Sequence, residues 1–300
     1  MPAWNLLIKP ASSACNLDCK YCFYRDVAAS RETPFRGMMT EKTLELLKTL
    51  AGIPAPSGNE MALGKYVYQY MKTFAPEVEV DRLGNVMACV TGRKPGATRI
   101  LLTAHQDEVS FMVRKIDPDG FIRIQRNGGI PEKNLLGLNV LLMTDKGLMT
   151  GLIGTRSHHL TSQEERYQVV PIMDLYIDCG FASAEEAEKA GIHVGTPVVY
   201  QRTFYINGSR IFSNALDDRI GLTSILEVGR RIAEKKDAVD AEVWIGTSVQ
   251  EEWSLRGDPP DPGGKAGRGA VLRYVSRNGY PGFDRNRGYC AGAWAGHQRV

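Results

Sequence analysis

The stretch Ile100-Leu101-Leu102-Thr103-Ala104-His105-Gln106-Asp107-Glu108 decides the fold, because an apolar run ends there in one imidazole and two carboxylates. The apolar run, residues 100–102, predicts a buried strand. Ligands of open α/β sheets bind at the edge formed by the carboxyl ends of the strands. We therefore expect an α/β fold with a functional site at the carboxyl end of this strand.

Two later stretches carry complementary groups, Asn214-Ala215-Leu216-Asp217-Asp218-Arg219 and Val249-Gln250-Glu251-Glu252. The second stretch continues residues 242–249, which predict a second strand that runs into acids. One His, one Asp and one Glu on three separated segments have the ligand chemistry of a zinc-type site. Taken singly, the Asp pair would also suit a helix N-terminus and the Glu pair a solvated surface.

Composition narrows the classes of function. The hydrophobic fraction of 43%, the charged fraction of 24% and the net charge of +3 are ordinary for a soluble globular chain. No apolar run approaches the roughly 18 residues of a membrane-spanning helix, and the N-terminus lacks the features of a signal peptide. We expect a cytoplasmic protein without nucleic-acid or membrane partners.

Local patterns predict the elements that precede the site. Thr40 is expected to cap a first helix, and Ser57 with Glu60 is expected to form a capping box for a second. Residues 78–81 and 85–90 read as a hairpin around Leu83-Gly84-Asn85. Residues from about 112 to 205 carry short strands separated by Asp-Gly, Lys-Gly and Asn-Gly turns, which is typical of a small β-barrel.

Three cysteines near the N-terminus, Cys15, Cys19 and Cys22, are spaced C-x3-C-x2-C. Three thiolates can bind three irons of a [4Fe–4S] cluster and leave the fourth iron open. With Lys9-Pro10-Ala11-Ser12-Ser13 and Cys22-Phe23-Tyr24, they resemble the start of radical S-adenosylmethionine enzymes of the anaerobic sulfatase-maturating branch. The resemblance implies a [4Fe–4S] cluster and S-adenosylmethionine as alternative cofactors. It covers about 40 residues, and the family's Gly-Gly-Glu-Pro-type strand does not follow at the expected distance, which favours an orphaned segment.

A broader resemblance covers roughly residues 44–257. Residues 54–60 (Pro-Ala-Pro-Ser-Gly-Asn-Glu), 81–85 (Asp-Arg-Leu-Gly-Asn) and 104–108 (Ala-His-Gln-Asp-Glu) look like the cytosolic glutamyl/deblocking aminopeptidases. Those enzymes are dinuclear metallopeptidases that assemble as tetrahedral dodecamers. The resemblance implies an incomplete zinc-peptidase-like α/β domain with an inserted small β-barrel domain that contributes to homo-oligomer assembly. The expected boundaries are 1–42 for the radical-SAM-like segment, 43–111 and 206–257 for the α/β domain, 112–205 for the barrel domain and 258–300 for an irregular tail.

The same resemblance implies the site residues and their roles. Two divalent ions, zinc or cobalt, would clamp a water and the scissile carbonyl of a peptide substrate. His105 would bind one metal, Glu252 the other, and Asp217 would bridge the two. Glu251 would be the general base, and Asp107 would hold the imidazole of His105.

The stretch from residue 258 to 300 departs from the family. It is rich in Gly, Arg and Pro, contains no Glu and shows no sustained apolar period. The family's further metal-binding Asp and last metal-binding His are not found there. A shift of codon frame allows residues 288–297 to be written as a peptide like GDIALGHGPA, which resembles the family at that distance. We hypothesise an out-of-frame tail, which the nucleotide sequence tests directly.

Two expectations follow from this departure. The chain should be an impaired aminopeptidase with incomplete metal loading, or a non-catalytic remnant that associates with intact peptidase subunits. Trp253-Ser254 also stands where the family has a small apolar residue and Gly, so the indole is expected to crowd the pocket.

Overall fold

The computed structural model describes residues 40–92, 96–164, 167–207, 210–253 and 268–271. Four α-helices are described there: α1 (Glu41–Gly52), α2 (Met61–Met71), α3 (Ala184–Lys189) and α4 (Leu216–Glu234). The first strands are β1 (Val78–Val80), β2 (Val86–Cys89), β3 (Arg99–His105), β4 (Ser110–Ile116), β5 (Ile122–Asn127) and β6 (Asn139–Thr144). The later strands are β7 (Gly147–Gly154), β8 (Tyr176–Asp178), β9 (Pro197–Tyr200), β10 (Phe204–Asn207), β11 (Arg210–Ser213), β12 (Glu242–Ser248) and β13 (Arg268–Val271).

One open sheet has the strand order β1-β2-β12-β3-β13. β12 and β13 both run parallel to β3. On the other side of β12, β2 pairs antiparallel with β12, and β1 pairs antiparallel with β2. The register pairs Ser248 with His105. The two strands that precede the predicted site residues therefore end at the same edge of the sheet.

Helices α1, α2 and α4 pack on one face of this sheet around a common apolar core. Leu50 from α1, Val67 from α2 and Ile225 from α4 are fully buried there with Ile245 from β12. The side chains that alternate with these core positions, among them Met87 and Trp244, form a smaller cluster on the other face. Within the described residues, no helix combines the length and apolar character needed to span a bilayer.

The two predicted helix starts have different outcomes. Thr40 caps α1 as expected, because its side-chain oxygen accepts the backbone N–H of Thr43 at 3.2 Å. The prediction of a Ser57–Glu60 capping box at the start of α2 is wrong. Glu60 is the N-cap residue and makes no side-chain cap hydrogen bond, and the Ser57 hydroxyl instead donates to Asp107. A buried carboxylate brought close by tertiary structure outcompetes the local helix cap.

The second body is a closed six-stranded barrel with the order β4-β5-β8-β7-β6-β9. Alternating side chains fill its interior, as expected for a small barrel, and Phe111, Ile124, Leu142, Ile177 and Val198 are fully buried. Residues 110–200 supply its strands, between β3 and α4 of the α/β part. The fold class predicted from the sequence, an α/β domain with an inserted small β-barrel, is confirmed.

Part of the stretch that the sequence predicts to be irregular forms a strand. Arg268–Val271 is β13 and pairs in parallel with residues 100–103 of β3. A run of four residues is too short to show a hydrophobic period, yet the unpaired backbone of an edge strand offers it a full set of hydrogen-bond partners. The expectation of irregular structure from 258 to 300 is therefore wrong at these four positions.

Candidate active site

Three side chains from three separated segments meet at the carboxyl edge of the sheet. One ligand atom from each of His105, Asp217 and Glu252 lies within 4.8 Å of the others. His105 Nε2 is 3.2 Å from Asp217 Oδ1. Among the described residues, this is the one group of three or more His, Cys, Asp or Glu side chains with the geometry to hold a metal ion.

The local backbone explains how Asp217 reaches this point. Ala215, just before α4, has a left-handed conformation with φ of 53°. Asp217 and Asp218 have non-helical dihedral angles although they fall within the bounds of α4, and the peptide bond between them is cis. The following Asp218 side chain is buried and accepts the backbone N–H of Gly221 at 2.9 Å. Asp217 is thus presented by a kinked helix start, with its side chain half exposed at 53%.

The carboxylate of Asp107 joins three segments of the site. Its Oδ1 accepts the backbone N–H of Glu251 at 3.0 Å, and its Oδ2 accepts that of Glu252 at 3.0 Å. Oδ2 also accepts the hydroxyl of Ser57 at 2.5 Å. His105 Nδ1 lies 3.5 Å from Oδ1 but only 3.1 Å from the backbone carbonyl of Asp107. The carboxylate therefore holds the backbone of the two glutamates in addition to contacting the imidazole.

The segment that carries the glutamates is fixed at two further points. The Val249 N–H donates to Asn85 Oδ1 at 2.9 Å, and the Gln250 N–H donates to Glu60 Oε1 at 3.0 Å. Gln250 has φ of 58°, an uncommon conformation for a residue other than Gly. Such backbone persists where the surroundings over-determine it. These hydrogen bonds supply that constraint next to Glu251 and Glu252.

The electrostatics of the site favour a cation. Burial would lower the pKa of His105, but its contacts with Asp107 and Asp217 outweigh burial and raise it to about 10. Burial raises the pKa of Glu252 to about 7, and the charges of Asp217 and Glu251 add to the effect while His105 opposes it. Burial would also raise the pKa of Asp107, yet hydrogen bonds from His105 and Ser57 bring it below its ordinary value. Clustered carboxylates with one imidazole call for added positive charge, which a divalent ion supplies.

A buried ion-pair chain lies behind the site. The fully buried Arg219 donates to the carbonyls of Leu50 and Gln106 and to the carboxylate of Glu108, the last at 3.4 Å. The same carboxylate accepts Arg202 Nη2 at 2.7 Å. Arg219 thus links α1, the end of β3 and the start of α4, two residues from Asp217.

A cleft of about 370 Å³ lies where the barrel meets the glutamate segment. Ser57, Gln250 and Trp253 line it from the α/β part, and Met112 and Arg126 line it from the barrel. The Trp253 side chain is largely exposed. The indole contributes one wall of this cleft.

The three side chains that converge, His105, Asp217 and Glu252, are those predicted from the sequence, whereas several residues that hold their backbone in place were not predicted. Ser57 and Glu60 were expected in a helix cap, and Asn85 in a turn, because each has a common local use in such a sequence. Their partners are 50 to 190 positions away in the chain. Cys15, Cys19 and Cys22 lie outside the described residues.

Comparison with known proteins identifies the family. The sequence model of the M42 glutamyl aminopeptidases matches residues 84–260. The chain belongs to the M42 glutamyl aminopeptidase family. M42 relatives include the Escherichia coli K12 protein SgcX, 40% identical over 223 residues, and the lysyl aminopeptidase of Pyrococcus furiosus, 33% identical over 216 residues. The matches cover 74% and 71% of this chain but only 59% and 60% of these relatives.

Solved M42-like structures agree with this assignment. A TET aminopeptidase from a marine sediment Thaumarchaeota archaeon matches with a TM-score of 0.69 and 36% identity, covering 72% of this chain and 61% of that one. The Pyrococcus horikoshii TET1 peptidase, described as assembling into a tetrahedron or a large octahedral shell, matches with a TM-score of 0.64 and 31% identity over 72% of this chain and 63% of that one. The chain therefore spans about 60% of the length of its M42 relatives.

A second, shorter match is to an enzyme of a different class. The cysteine-type anaerobic sulfatase-maturating enzyme of Clostridium perfringens is 51% identical over 45 residues, which is 15% of this chain and 12% of that enzyme. The two resemblances seen in the sequence therefore both have counterparts among known proteins, and the M42 match is by far the longer.

Proposed function

We propose that this chain is a metal-dependent aminopeptidase that releases N-terminal residues from peptides, with its activity impaired. The observation that carries the proposal is the convergence of His105, Asp217 and Glu252 to within 4.8 Å at the carboxyl edge of the sheet. Its relatives named as aminopeptidases support the reaction class.

The donor set fits a divalent ion. One imidazole nitrogen and two carboxylate oxygens are ligands that zinc and cobalt accept. Asp217 remains half exposed, which leaves a path from solvent to the site. His105 would hold one ion, Glu252 a second, and Asp217 would lie between them. When bound, such ions act as Lewis acids that polarise a peptide carbonyl and activate water.

The protein's own groups would orient the site and move protons. Glu251, next to Glu252 and anchored through its backbone by Asp107, is assigned as the general base that takes a proton from the attacking water. Asp107 would keep the glutamate segment and the ring of His105 in fixed relative positions. The cleft beside Trp253 lies on the approach to these groups and would accommodate part of a peptide.

The impairment follows from the number of donors. A dinuclear site needs a further ligand for each ion, and the M42-like sequence pattern that should provide these donors is not found after residue 257. The three donors that the described residues bring together, shared by two ions, give an under-coordinated site, because structural and catalytic zinc sites use three or four protein ligands for each ion. We expect incomplete metal loading and slow turnover.

Metal titration tests the site. The unaltered chain should take up Co²⁺ with visible absorption from the bound ion, and His105→Ala should remove both. Activity should then be measured on aminoacyl p-nitroanilides with cobalt or zinc, beside a full-length M42 relative. If His105→Ala takes up as much Co²⁺ as the unaltered chain, the proposed site is wrong. If the chain turns over substrate as fast as the full-length relative, the proposed impairment is wrong.

We also propose that this chain has protein partners: it either forms a homo-oligomer through the barrel domain or associates with intact peptidase subunits. The support is the description of the TET1 neighbour as a large shell and the apolar side chains exposed around the barrel, such as Leu148, Leu160 and Met173. Light scattering on the purified chain, and co-purification with a tagged full-length relative, distinguish the two forms of assembly. A monomer that captures no such subunit would contradict both.

A second candidate function rests on the sulfatase-maturase match. Cys15, Cys19 and Cys22 would bind a [4Fe–4S] cluster and, with S-adenosylmethionine, support radical chemistry. Anaerobic reconstitution should then give a brown protein with charge-transfer absorbance that is lost in Cys19→Ser. A preparation that contains metal only at His105, Asp217 and Glu252 would exclude this function.

A further inference from the structure

We propose that Ser57 is a positioning residue for the glutamates of the site, and that the barrel acts through it by means of Asn127. The predicted effect on metal binding rests on the proposed function, whereas the positioning of the glutamate backbone does not depend on it. Neither residue is a ligand or a base in that proposal. Their role is to fix where the backbone of Glu251 and Glu252 lies relative to His105.

The first step is the hydroxyl of Ser57. It donates to Asp107 Oδ2 at 2.5 Å, and both residues are buried, Ser57 at 8% and Asp107 at 0% exposure. A carboxylate accepts only, so the hydroxyl must be the donor. Its proton is therefore committed to Asp107, and hydrogen bonds to a buried charge are among the strong ones in proteins.

The second step leads from Asp107 to the glutamates. The oxygen that accepts from Ser57 also accepts the N–H of Glu252 at 3.0 Å, and the other oxygen accepts the N–H of Glu251 at 3.0 Å. A rotation of the Asp107 carboxylate would break both backbone contacts together. Ser57 opposes that rotation by holding one oxygen from the side of the 54–60 loop.

The third step brings in the barrel. Asn127, at the end of β5, donates through Nδ2 to the carbonyl of Ser57 at 2.8 Å and to Ser110 Oγ at 3.0 Å. The next residue, Gly128, lies so close to the glutamate segment that an added Cβ would be 3.3 Å from the carbonyl of Glu252. The barrel therefore holds Ser57 through Asn127 and approaches the glutamate segment through the neighbouring Gly128.

These contacts form one continuous chain of hydrogen bonds, from Asn127 through Ser57 and Asp107 to Glu251 and Glu252. Because every link joins buried or partly buried groups, a missing link leaves polar atoms without solvent to replace the lost partner. The barrel thus has a role in the geometry of the site that is separate from any role in assembly.

The structural part is tested in the metal-free chain by hydrogen exchange of the peptide spanning residues 249–253. Ser57→Ala should accelerate exchange there by about tenfold, the effect of losing one hydrogen bond to a charged group, and Ser57→Thr, which keeps the hydroxyl, should restore protection. Thr196→Val is the matched control. It removes a fully buried hydroxyl that accepts the N–H of His193 inside the barrel, so exchange at 249–253 should stay unchanged.

Asn127→Ala tests the same chain of hydrogen bonds at another link, and it replaces Ser57→Ala if that variant does not fold. It should accelerate exchange at 249–253 in the same direction, by a smaller factor, while β12 stays protected. Unchanged exchange at 249–253 in both Ser57→Ala and Asn127→Ala would overturn the proposal. So would equal acceleration in Thr196→Val, since that would indicate general loosening.

The consequence for metal binding is tested by Co²⁺ titration of the same variants. Loss of an outer contact of a metal site costs about 10–100-fold in affinity, so Ser57→Ala should bind Co²⁺ at least about tenfold more weakly than Thr196→Val. If exchange at 249–253 rises in Ser57→Ala while Co²⁺ uptake is indifferent to His105→Ala, the proposed function fails and the positioning role holds. If His105→Ala abolishes uptake while Ser57→Ala changes neither exchange nor affinity, the positioning role fails and the proposed function holds.

Discussion

The barrel and the open sheet are built from strands of one chain, yet they bury different kinds of side chain. Among the described residues, the buried polar positions of the barrel are Ser110, Asn127 and Thr196, and all the others belong to the α/β part or to its junctions with the barrel. The barrel closes on itself, and its interior is apolar. The sheet holds its charged and amide groups at the edge where β3 and β12 end.

This difference shows that the barrel and the open sheet are held in shape by different interactions. Closure removes sheet edges, so a barrel needs little besides apolar packing to hold its shape. An open sheet that presents a site must fix polar groups against one another, and it does so here with long-range hydrogen bonds that converge on Asp107 and Glu60.

The largest effect is expected at the junction between the two bodies. Glu108→Ala should lower the free energy of unfolding by about 3–5 kcal/mol, because it leaves the buried Arg219 without its carboxylate. Urea denaturation measures the change. Glu132→Ala is the control, since Glu132 pairs only at 3.8 Å with the half-exposed Arg126 and should cost below about 1 kcal/mol. Similar costs for both variants would show that the buried ion pair adds no special stability.

The next effect belongs to the barrel alone. Leu142→Ala should cost about 2–5 kcal/mol through the cavity that it leaves in the apolar interior. If the barrel packs as a separate body, hydrogen exchange should accelerate in β6 and β9 and stay slow in β12. Uniform acceleration across β12 would instead indicate that the two bodies unfold as one unit.

A site variant should behave in the opposite way. His105→Ala should weaken Co²⁺ binding on the order of 100-fold or more, since loss of an outer contact alone costs about 10–100-fold. Its effect on hydrogen exchange in the barrel should be small. His193→Ala, which changes an exposed imidazole beside Asp145 on the barrel, should leave Co²⁺ affinity unchanged. Weaker binding in His193→Ala would place the metal elsewhere.

The smallest effect concerns acid stability of α4. Hydrogen bonding from Arg230 lowers the pKa of Glu227, with a contribution from Arg231, although burial opposes it. Because the folded pKa is below the unfolded value of about 4.3, this stabilisation is present at higher pH and is lost as the pH falls through the folded pKa. Glu227→Gln should therefore reduce the acid-induced loss of stability by up to about 1 kcal/mol, since both arginines are partly exposed. Urea midpoints at pH 7 and at pH 3.5 give the comparison, and an unchanged pH dependence would contradict it.

Sequence patterns were informative where the physics is local or repetitive. The apolar run before His105 predicted β3, the spaced Gly turns predicted the barrel, and Thr40 predicted the start of α1. Resemblance to M42 peptidases selected His105, Asp217 and Glu252 as ligands, and the structure brings these three together. Their metal-binding roles stay predictions.

The contacts that hold the site were not predictable in the same way. Ser57 looked like a helix cap because the capping-box pattern is local, whereas the group that it binds is 50 positions away. Asn127 sits in an ordinary strand, and no periodicity in sequence indicates that its amide reaches the loop at Ser57. The short strand Arg268–Val271 was missed because pairing with a preformed edge requires little of the sequence itself.

The ion pair between Glu108 and Arg202 also has a topological meaning. Glu108 precedes the first barrel strand, Arg202 follows the last, and their charged atoms are 2.7 Å apart. The barrel's two ends are therefore neighbours, the geometry that permits a whole module to be exchanged without rerouting the surrounding chain. A short loop joining positions 108 and 202 would leave β3 and α4 in the same chain order and would yield the α/β part without the barrel, and so without the Asn127 contact to Ser57.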